Sequence, residues 1–377
     1  MRCPAAHFLA FSTPAHLHFT RTRGEVHSTS PRRGPTLFRA SVSASIPDAI
    51  PDVIVQRLSE LCAAPIVSIK ETSVGPGQLN RHFRYTTREG ENFLVKVNEN
   101  VTEEFFAAEA ASLRALGSVN VLKVPKPVVY GSLSLKGAFL ALEYIDLIPF
   151  GASIPSVQRM LGYGLAQLHL KSESPTDKFG FSVDNYIGRT LQDNEWMSDW
   201  ESFFIEKRLA PMLQKARSRF GHRYGVNNES AAALVDYSDK LLRNDAKYVR
   251  ILFDGCDEIK PCLIHGDLFM GNVGATRKRE PILLDPASYY AHHEMDLATM
   301  YGRFGKEFSE AYHEVIPRAS GFYEREKLYL LYYGLNHMIL SGAGFGQDGD
   351  LDNPNGYYER CIRLMKSICE GDGSKVV

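Results

Sequence analysis

The sequence predicts an α+β protein of two lobes, a small β-rich one followed by a larger helical one. Three observations lead there. Strand-like apolar runs separated by turn signals cluster between Ile66 and Ile145. From Ser156 onward apolar residues recur at helical spacing. Two short buried-strand patterns interrupt that helical half, Leu263-Ile264 and Pro281 to Leu284, and polar residues stand at their ends. At 377 residues the chain exceeds the roughly 250–300 residues at which a single core stops growing. The expected division is an extension over 1–47, a first lobe over 48–145 and a second over 146–372.

The extension is set apart by composition. Residues 1–47 hold six Arg, no Lys and one acidic residue, Glu25, among many Ser, Thr, Pro and His. That balance fits an organelle transit peptide, with the chloroplast as first destination and the mitochondrion second. The alternative is a disordered tail. Removing it takes six of 43 basic and one of 44 acidic residues and leaves a body near −6. A mildly acidic body argues against general affinity for nucleic acid. The long apolar run Leu328 to Leu340 is broken by Asn336 and His337, short of the roughly 20 residues a membrane span needs. The six cysteines show no C-x-x-C pair and no zinc spacing, so they read as reduced and structural.

In order, Asp48 to Ala64 carries helical periodicity and Pro65 closes it. Strands follow at Ile66 to Val74, His82 to Thr87 and Asn92 to Val97. The turn Gly75-Pro76-Gly77, placed before a strand with a central Lys96, has the layout of a nucleotide lid. In such a lid, backbone N–H groups of Gly75 and Gly77 cover phosphates and Lys96 reaches them. Thr102 to Gly117 reads as a helix with Thr102 as N-cap and Gly117 as its stop, and Glu109 inside it is the candidate partner of Lys96. Strands at Lys126 to Gly131 and Ala138 to Ile145 lead to a hinge before Pro149 and Gly151. Helices are then expected at 157–171, 196–216, 230–252, 294–304, 308–315, 323–340 and 357–369.

The chemistry concentrates in His265-Gly266-Asp267-Leu268-Phe269-Met270-Gly271-Asn272 and in Asp285 after the second strand pattern. H-x-D-x-x-x-x-N is the pattern of the protein-kinase catalytic loop, with Gly266 where kinases place Arg. In phosphoryl transfer from ATP, one carboxylate takes the hydroxyl proton while an amide and a second carboxylate hold Mg²⁺ against the phosphates. Asp267 is thus the candidate base and Asn272 and Asp285 the candidate metal ligands. His265 reads as a packed residue bracing the loop rather than a zinc ligand, and His292-His293 lacks metalloprotease spacing. Asp296 reads as the cap of a helix.

These residues resemble the ketosamine 3-kinase (fructosamine kinase) family, from the aminoglycoside-phosphotransferase branch of the protein-kinase-like fold. The likeness runs from about Val53 to Ile368. It is carried by Phe93-Leu94-Val95-Lys96-Val97-Asn98, Leu165-Ala166-Gln167-Leu168-His169, Asp184-Asn185-Tyr186-Ile187-Gly188, Trp200-Glu201-Ser202-Phe203-Phe204, His265-Gly266-Asp267-Leu268 and Asp285-Pro286-Ala287-Ser288-Tyr289-Tyr290. The resemblance implies that Lys96 and Glu109 pair on the phosphates and that backbone groups of Glu143 and Ile145 meet adenine. It also implies that Asp296 braces the catalytic loop. The implied substrate is a ketosamine adduct on a protein lysine or on free lysine. ATP phosphorylates it at the third sugar carbon, and deglycation follows. Phe269 stands where the family often has Trp, which makes it a candidate substrate wall. Pro76 removes one backbone donor from the lid. Two other readings are a kinase for a free small molecule, aminoglycoside- or choline-like, and a catalytically dead pseudokinase that binds nucleotide.

Overall fold

The computed structural model describes residues 52–72, 79–149, 151–221, 228–256, 258–298, 304–342 and 356–371. The extension 1–47 and the glycine turn with Gly75 and Gly77 lie outside the described residues. Helix α1 (Asp52–Cys62) precedes strands β1 (Ile66–Glu71), β2 (Arg81–Thr87) and β3 (Asn92–Asn98). Helix α2 (Glu103–Val119) then leads to β4 (Pro127–Ser132) and β5 (Ala138–Glu143). The five strands form one antiparallel sheet in the order β1-β2-β3-β5-β4.

Side chains alternate across this sheet. Phe83, Tyr85, Phe93, Val95, Val97, Phe139 and Ala141 pack with Ile54 and Leu58 of α1 in one cluster. Ala138, Leu140 and Leu142 fall on the opposite face, with Phe106, Ala110 and Leu113 of α2. Lys96, between Val95 and Val97, therefore faces the α2 side. Helix α2 runs past Gly117 and ends at Asn120, which takes the left-handed conformation (φ 56°) and closes the last turn through its N–H to Gly117 O. An asparagine tolerates that conformation, so Gly117 is not the stop it was expected to be.

Helix α3 (Pro155–Lys171) opens the second half, followed by the small hairpin β6 (Asn185–Ile187) and β7 (Thr190–Gln192). Helix α4 (Trp200–Phe204) continues through a π turn, Ile205–Leu209, into α5 (Ala210–Phe220). The helix expected from Trp196 begins four residues later for a local reason. Met197 pairs with Phe179 through two backbone bonds of 2.8 and 2.9 Å, and Asp199 caps the helix by accepting from Ser202 N at 2.8 Å. Helix α6 (Asn228–Arg250), kinked at Arg243–Ala246, is followed by β8 (Cys262–Ile264), β9 (Val273–Ala275), β10 (Pro281–Leu283) and β11 (Tyr289–Ala291). The two strand patterns read from the sequence are present, but each has its own partner: β8 pairs with β11 and β9 with β10. The helix expected over 294–304 is a 3-10 turn over His293–Leu297, with 299–303 outside the described residues. Helices α7 (Lys306–His313), α8 (Phe322–Ser341) and α9 (Tyr357–Glu370) complete the fold. Among the described residues no helix is long and apolar enough to cross a membrane.

Candidate active site

Strand β3 delivers Lys96 and helix α2 delivers Glu109 to one point, where Nζ and Oε1 are 2.6 Å apart. Lys96 Nζ also pairs with Asp285. The lysine is buried, at 3% exposure, so its charge needs both partners. Burial would lower the pKa of the ammonium, but the Asp285 and Glu109 carboxylates outweigh it and hold it raised. Asp285 resists its own desolvation because Lys96 lies against it, and its carboxyl stays below the usual range. Burial pushes Glu109 up despite Lys96. Asp285 sits in left-handed backbone (φ 51°), uncommon for a residue with a Cβ, and its side chain is half exposed to the cleft.

The loop after β8 is held by one carboxylate. Asp296 Oδ2 accepts from His265 N at 2.6 Å and Oδ1 accepts from Gly266 N at 2.9 Å. His169 Nε2 lies 3.3 Å from the same Oδ2, and its Nδ1 is 2.8 Å from the buried Tyr312 hydroxyl. Burial opposes ionisation of Asp296, yet the His169 hydrogen bond and the His265 contacts keep its carboxyl below the ordinary value. His265 is fully buried and held neutral by burial. The 3.2 Å bond from Asp267 N makes Nδ1 the acceptor, so Nε2–H donates to Leu284 O at 2.8 Å. Gly266 has φ +82°, and a Cβ there would stand 2.1 Å from Ala287 O, so no other residue fits without moving backbone.

Asp267 emerges from this frame beside Asn272, whose Nδ2 donates to Asp267 O at 2.9 Å and to Oδ2 at 3.2 Å. Burial first, and the Asp285 carboxylate second, push its pKa up to about 7 from 3.8, against the Asn272 bond. Phe269 lies over Gly271, where a Cβ would meet the ring at 2.3 Å. A cavity of about 490 Å³ is lined by Lys96, Glu109, Asp267, Phe269, Asn272 and Asp285 together. Glu143 and Ile145 lie outside that cavity. Glu143 ends β5, and its N–H donates to Lys126 O at 2.8 Å.

Several residues of the site carried no functional assignment in the sequence. His82 stands opposite Lys96 on β2 and lines the cavity. Asn185 and Tyr186 of the β6–β7 hairpin line it too. Asn185 Nδ2 donates to Ser288 O at 2.7 Å, Gln192 Nε2 to Asn185 Oδ1 at 2.8 Å, and Tyr332 OH to Gln192 Oε1 at 2.6 Å, which ties hairpin, Asp285–Tyr290 segment and α8 together. The Asp184–Gly188 run marked Asn185 as noteworthy without giving it a role. Trp200 is core, its Nε1 donating to Tyr329 OH at 3.0 Å, while Trp196 is only half-buried against Tyr290.

The chain resembles known proteins over most of its length. A protein-ribulosamine 3-kinase, chloroplastic, of Oryza sativa subsp. indica is 37% identical over 337 residues, covering 89% of this chain and 90% of the relative. A crystal structure of a candidate fructosamine-3-kinase from Thermobifida fusca YX-ER1 superposes with a TM-score of 0.65 at 25% identity, covering 84% of this chain and 98% of that one. An aminoglycoside phosphotransferase in its apo form, at 15% identity with a TM-score of 0.56 over 85% of this chain and 100% of that one, shares the two-lobed protein-kinase-like fold alone. The fructosamine kinase family profile matches residues 51–350, and the chain belongs to that family.

Proposed function

We propose that this protein phosphorylates protein-bound ketosamines at the sugar 3-hydroxyl, using ATP and Mg²⁺. The carrying observation is the convergence of Lys96–Glu109, Asp285, Asn272 and a carboxylate poised near neutrality, Asp267, on one cavity. Asp267 is the base: it takes the proton of the attacking hydroxyl as the new O–P bond forms and the bond to the ADP oxygen breaks. A group titrating near 7 is deprotonated often enough to accept that proton and basic enough to hold it.

The donor set suits a hard divalent ion. Asn272 spends its amide N–H on Asp267, so its carbonyl oxygen is the ligand atom, and Asp285 has one oxygen beyond the one paired with Lys96. Mg²⁺ there would neutralise phosphate charge as the leaving group departs. Lys96, fixed by Glu109, offers its ammonium to the phosphates, and Gly75, Gly77 and the backbone at Glu143 and Ile145 serve the lid and the adenine. Phosphorylation at the third carbon makes the adduct self-destructive. Tautomerisation to the enaminol sets the phosphate up to leave, and hydrolysis of the imine frees the lysine amine without further catalysis.

Short ketoamines are the preferred class. The rice relative is named for ribulosamine, and Phe269 gives a wall without an indole N–H, so a longer sugar gains no donor there. The Arg-rich, acid-poor residues 1–47 and the chloroplastic label of the rice relative support import into the chloroplast. A fluorescent fusion of the full chain should enter plastids and lose its N-terminus. Retention in the cytosol with an intact N-terminus contradicts that import. For activity, ATP, Mg²⁺ and ribulose-, erythrulose- or fructose-lysine are supplied in turn, with ADP release and ³¹P NMR as readouts. The two shorter adducts should show the higher kcat/KM. Phosphorylation of an amino alcohol with none of ketoamine would favour the small-molecule kinase instead.

A further inference from the structure

We propose that His82 is a nucleotide-contact residue of this kinase, its imidazole donating an N–H to a phosphate oxygen of ATP beside Lys96. The inference rests on the ATP-dependent reading given above and adds to it a second side chain on the phosphates.

His82 and Lys96 are paired positions of β2 and β3, and Leu140 of β5 completes the row. Directly opposed residues of neighbouring strands point to the same face of the sheet, with Cβ atoms about 4.5–5.5 Å apart. His82 thus shares the cleft face with Lys96, whereas Phe83 beside it turns into the core under α1. Its backbone is fixed: His82 O accepts from Thr72 N at 2.9 Å and from Thr72 Oγ1 at 3.1 Å. The imidazole is left over. It is half-buried and lines the cavity, and neither ring nitrogen makes a hydrogen bond among the described residues. Burial and the Lys96 ammonium lower its pKa against the pull of Asp285, so at neutral pH the ring is uncharged and has one N–H to give.

Donors are scarce in this cavity. Among the described residues Lys96 is the one cationic side chain that lines it, against the carboxylates of Glu109, Asp267 and Asp285. Two of its three N–H bonds go to Glu109 and Asp285. Asn272 and Asn185 donate their amides to Asp267 and Ser288, and Asn336 lines the cleft at only 3% exposure. Phosphate oxygens carry no proton, so donors must meet them, and Lys96 marks where they lie. An uncharged N–H across the strand pair extends that donor set. A second cation there would do so only against repulsion from the ammonium.

The test separates the phosphates from the rest of the nucleotide. His82→Leu removes the donor at similar bulk, with His82→Ala in its place if leucine does not fold. His82→Asn and His82→Gln restore an uncharged N–H at the two depths of the ring nitrogens. Full-length protein is titrated calorimetrically with Mg²⁺–ATP, Mg²⁺–ADP and adenosine. Loss of the donor should weaken ATP binding about tenfold or more, the scale of a hydrogen bond to a charged group. Adenosine affinity should stay within twofold, and one of the two amide variants should recover ATP binding to within threefold of wild type. KM for ribulose-lysine should also stay within twofold; a rise there with ATP binding unaffected would move His82 to the acceptor and overturn the proposal. Unchanged ATP affinity, equal weakening of adenosine, or no recovery in either amide variant overturns it as well. Wild-type protein that binds no Mg²⁺–ATP overturns the ATP reading itself, and the inference with it.

Discussion

Asp267→Asn should raise stability and abolish turnover, two effects of opposite sign from one atom. In the folded protein burial and Asp285 lift the Asp267 carboxyl from 3.8 to about 7, whereas the unfolded chain keeps the ordinary value. Below pH 4 both states hold the proton and the group costs nothing. Between pH 4 and 7 the unfolded chain releases it while the folded one retains it, so wild-type stability falls as pH rises; above 7 the full cost is present. At about 1.4 kcal/mol per pKa unit this amounts to roughly 4 kcal/mol, and partial access of cleft water reduces it to about 2 kcal/mol. Asparagine carries no such charge. For a chain of this size about 2 kcal/mol corresponds to a Tm gain of roughly 3 °C. The assay is thermal melting of nucleotide-free protein in EDTA from pH 4 to 8.5, beside kcat at pH 7.5. The Tm difference should be near zero at the acid end, grow through pH 5–7 and level off, while kcat falls at least about a hundredfold. A Tm difference that does not vary with pH refutes the electrostatic account, and turnover within tenfold of wild type refutes the assignment of the base.

Lys96→Met should abolish ATP turnover and lower Tm by leaving Glu109 buried without its cation, a loss of about 3–5 kcal/mol. Adding Glu109→Gln in the same chain should recover part of the Tm and none of the activity, and failure of any Tm recovery would refute the pairing as the source of the cost. Gly266→Ala should cost at least about 2 kcal/mol, since it combines a left-handed φ with a clash on Ala287 O; normal melting and activity would refute the close approach. Asp296→Asn places an amide donor where two backbone donors converge, so it should reduce kcat about tenfold or more with little change in the Kd of ATP, and equal loss of ATP binding would show that it does not act through the loop.

The parts of the site legible in the sequence are those whose geometry is local. Asp267 and Asn272 share one short loop, and Asp285 follows a strand whose apolar run is visible, so spacing alone brought them together. Lys96 and Glu109 were legible because strand alternation and helix periodicity each specify a face. Asn336 was hidden for the opposite reason. Helix α8 is buried nearly all round, from Leu328 to Leu335 without a break, so its sequence has no polar face against which an inward asparagine would stand out. In the sequence Asn336 interrupts an apolar run; in the fold it interrupts a wall. Asp296 shows the limit of reading a cap from position. An aspartate near the expected start of a helix ordinarily accepts from that helix's own N–H groups. Here the helix is only a 3-10 turn, and both oxygens turn to His265 N and Gly266 N instead. That choice explains Gly266 as well. Where the kinase pattern has an arginine, this loop presses its backbone against Ala287 O and presents its N–H groups to a distant carboxylate. The loop is thus positioned by backbone hydrogen bonds to Asp296 as well as by its own His265 and Asn272 side chains, so its geometry depends on His169 and Tyr312 behind Asp296 as much as on the residues that define the motif.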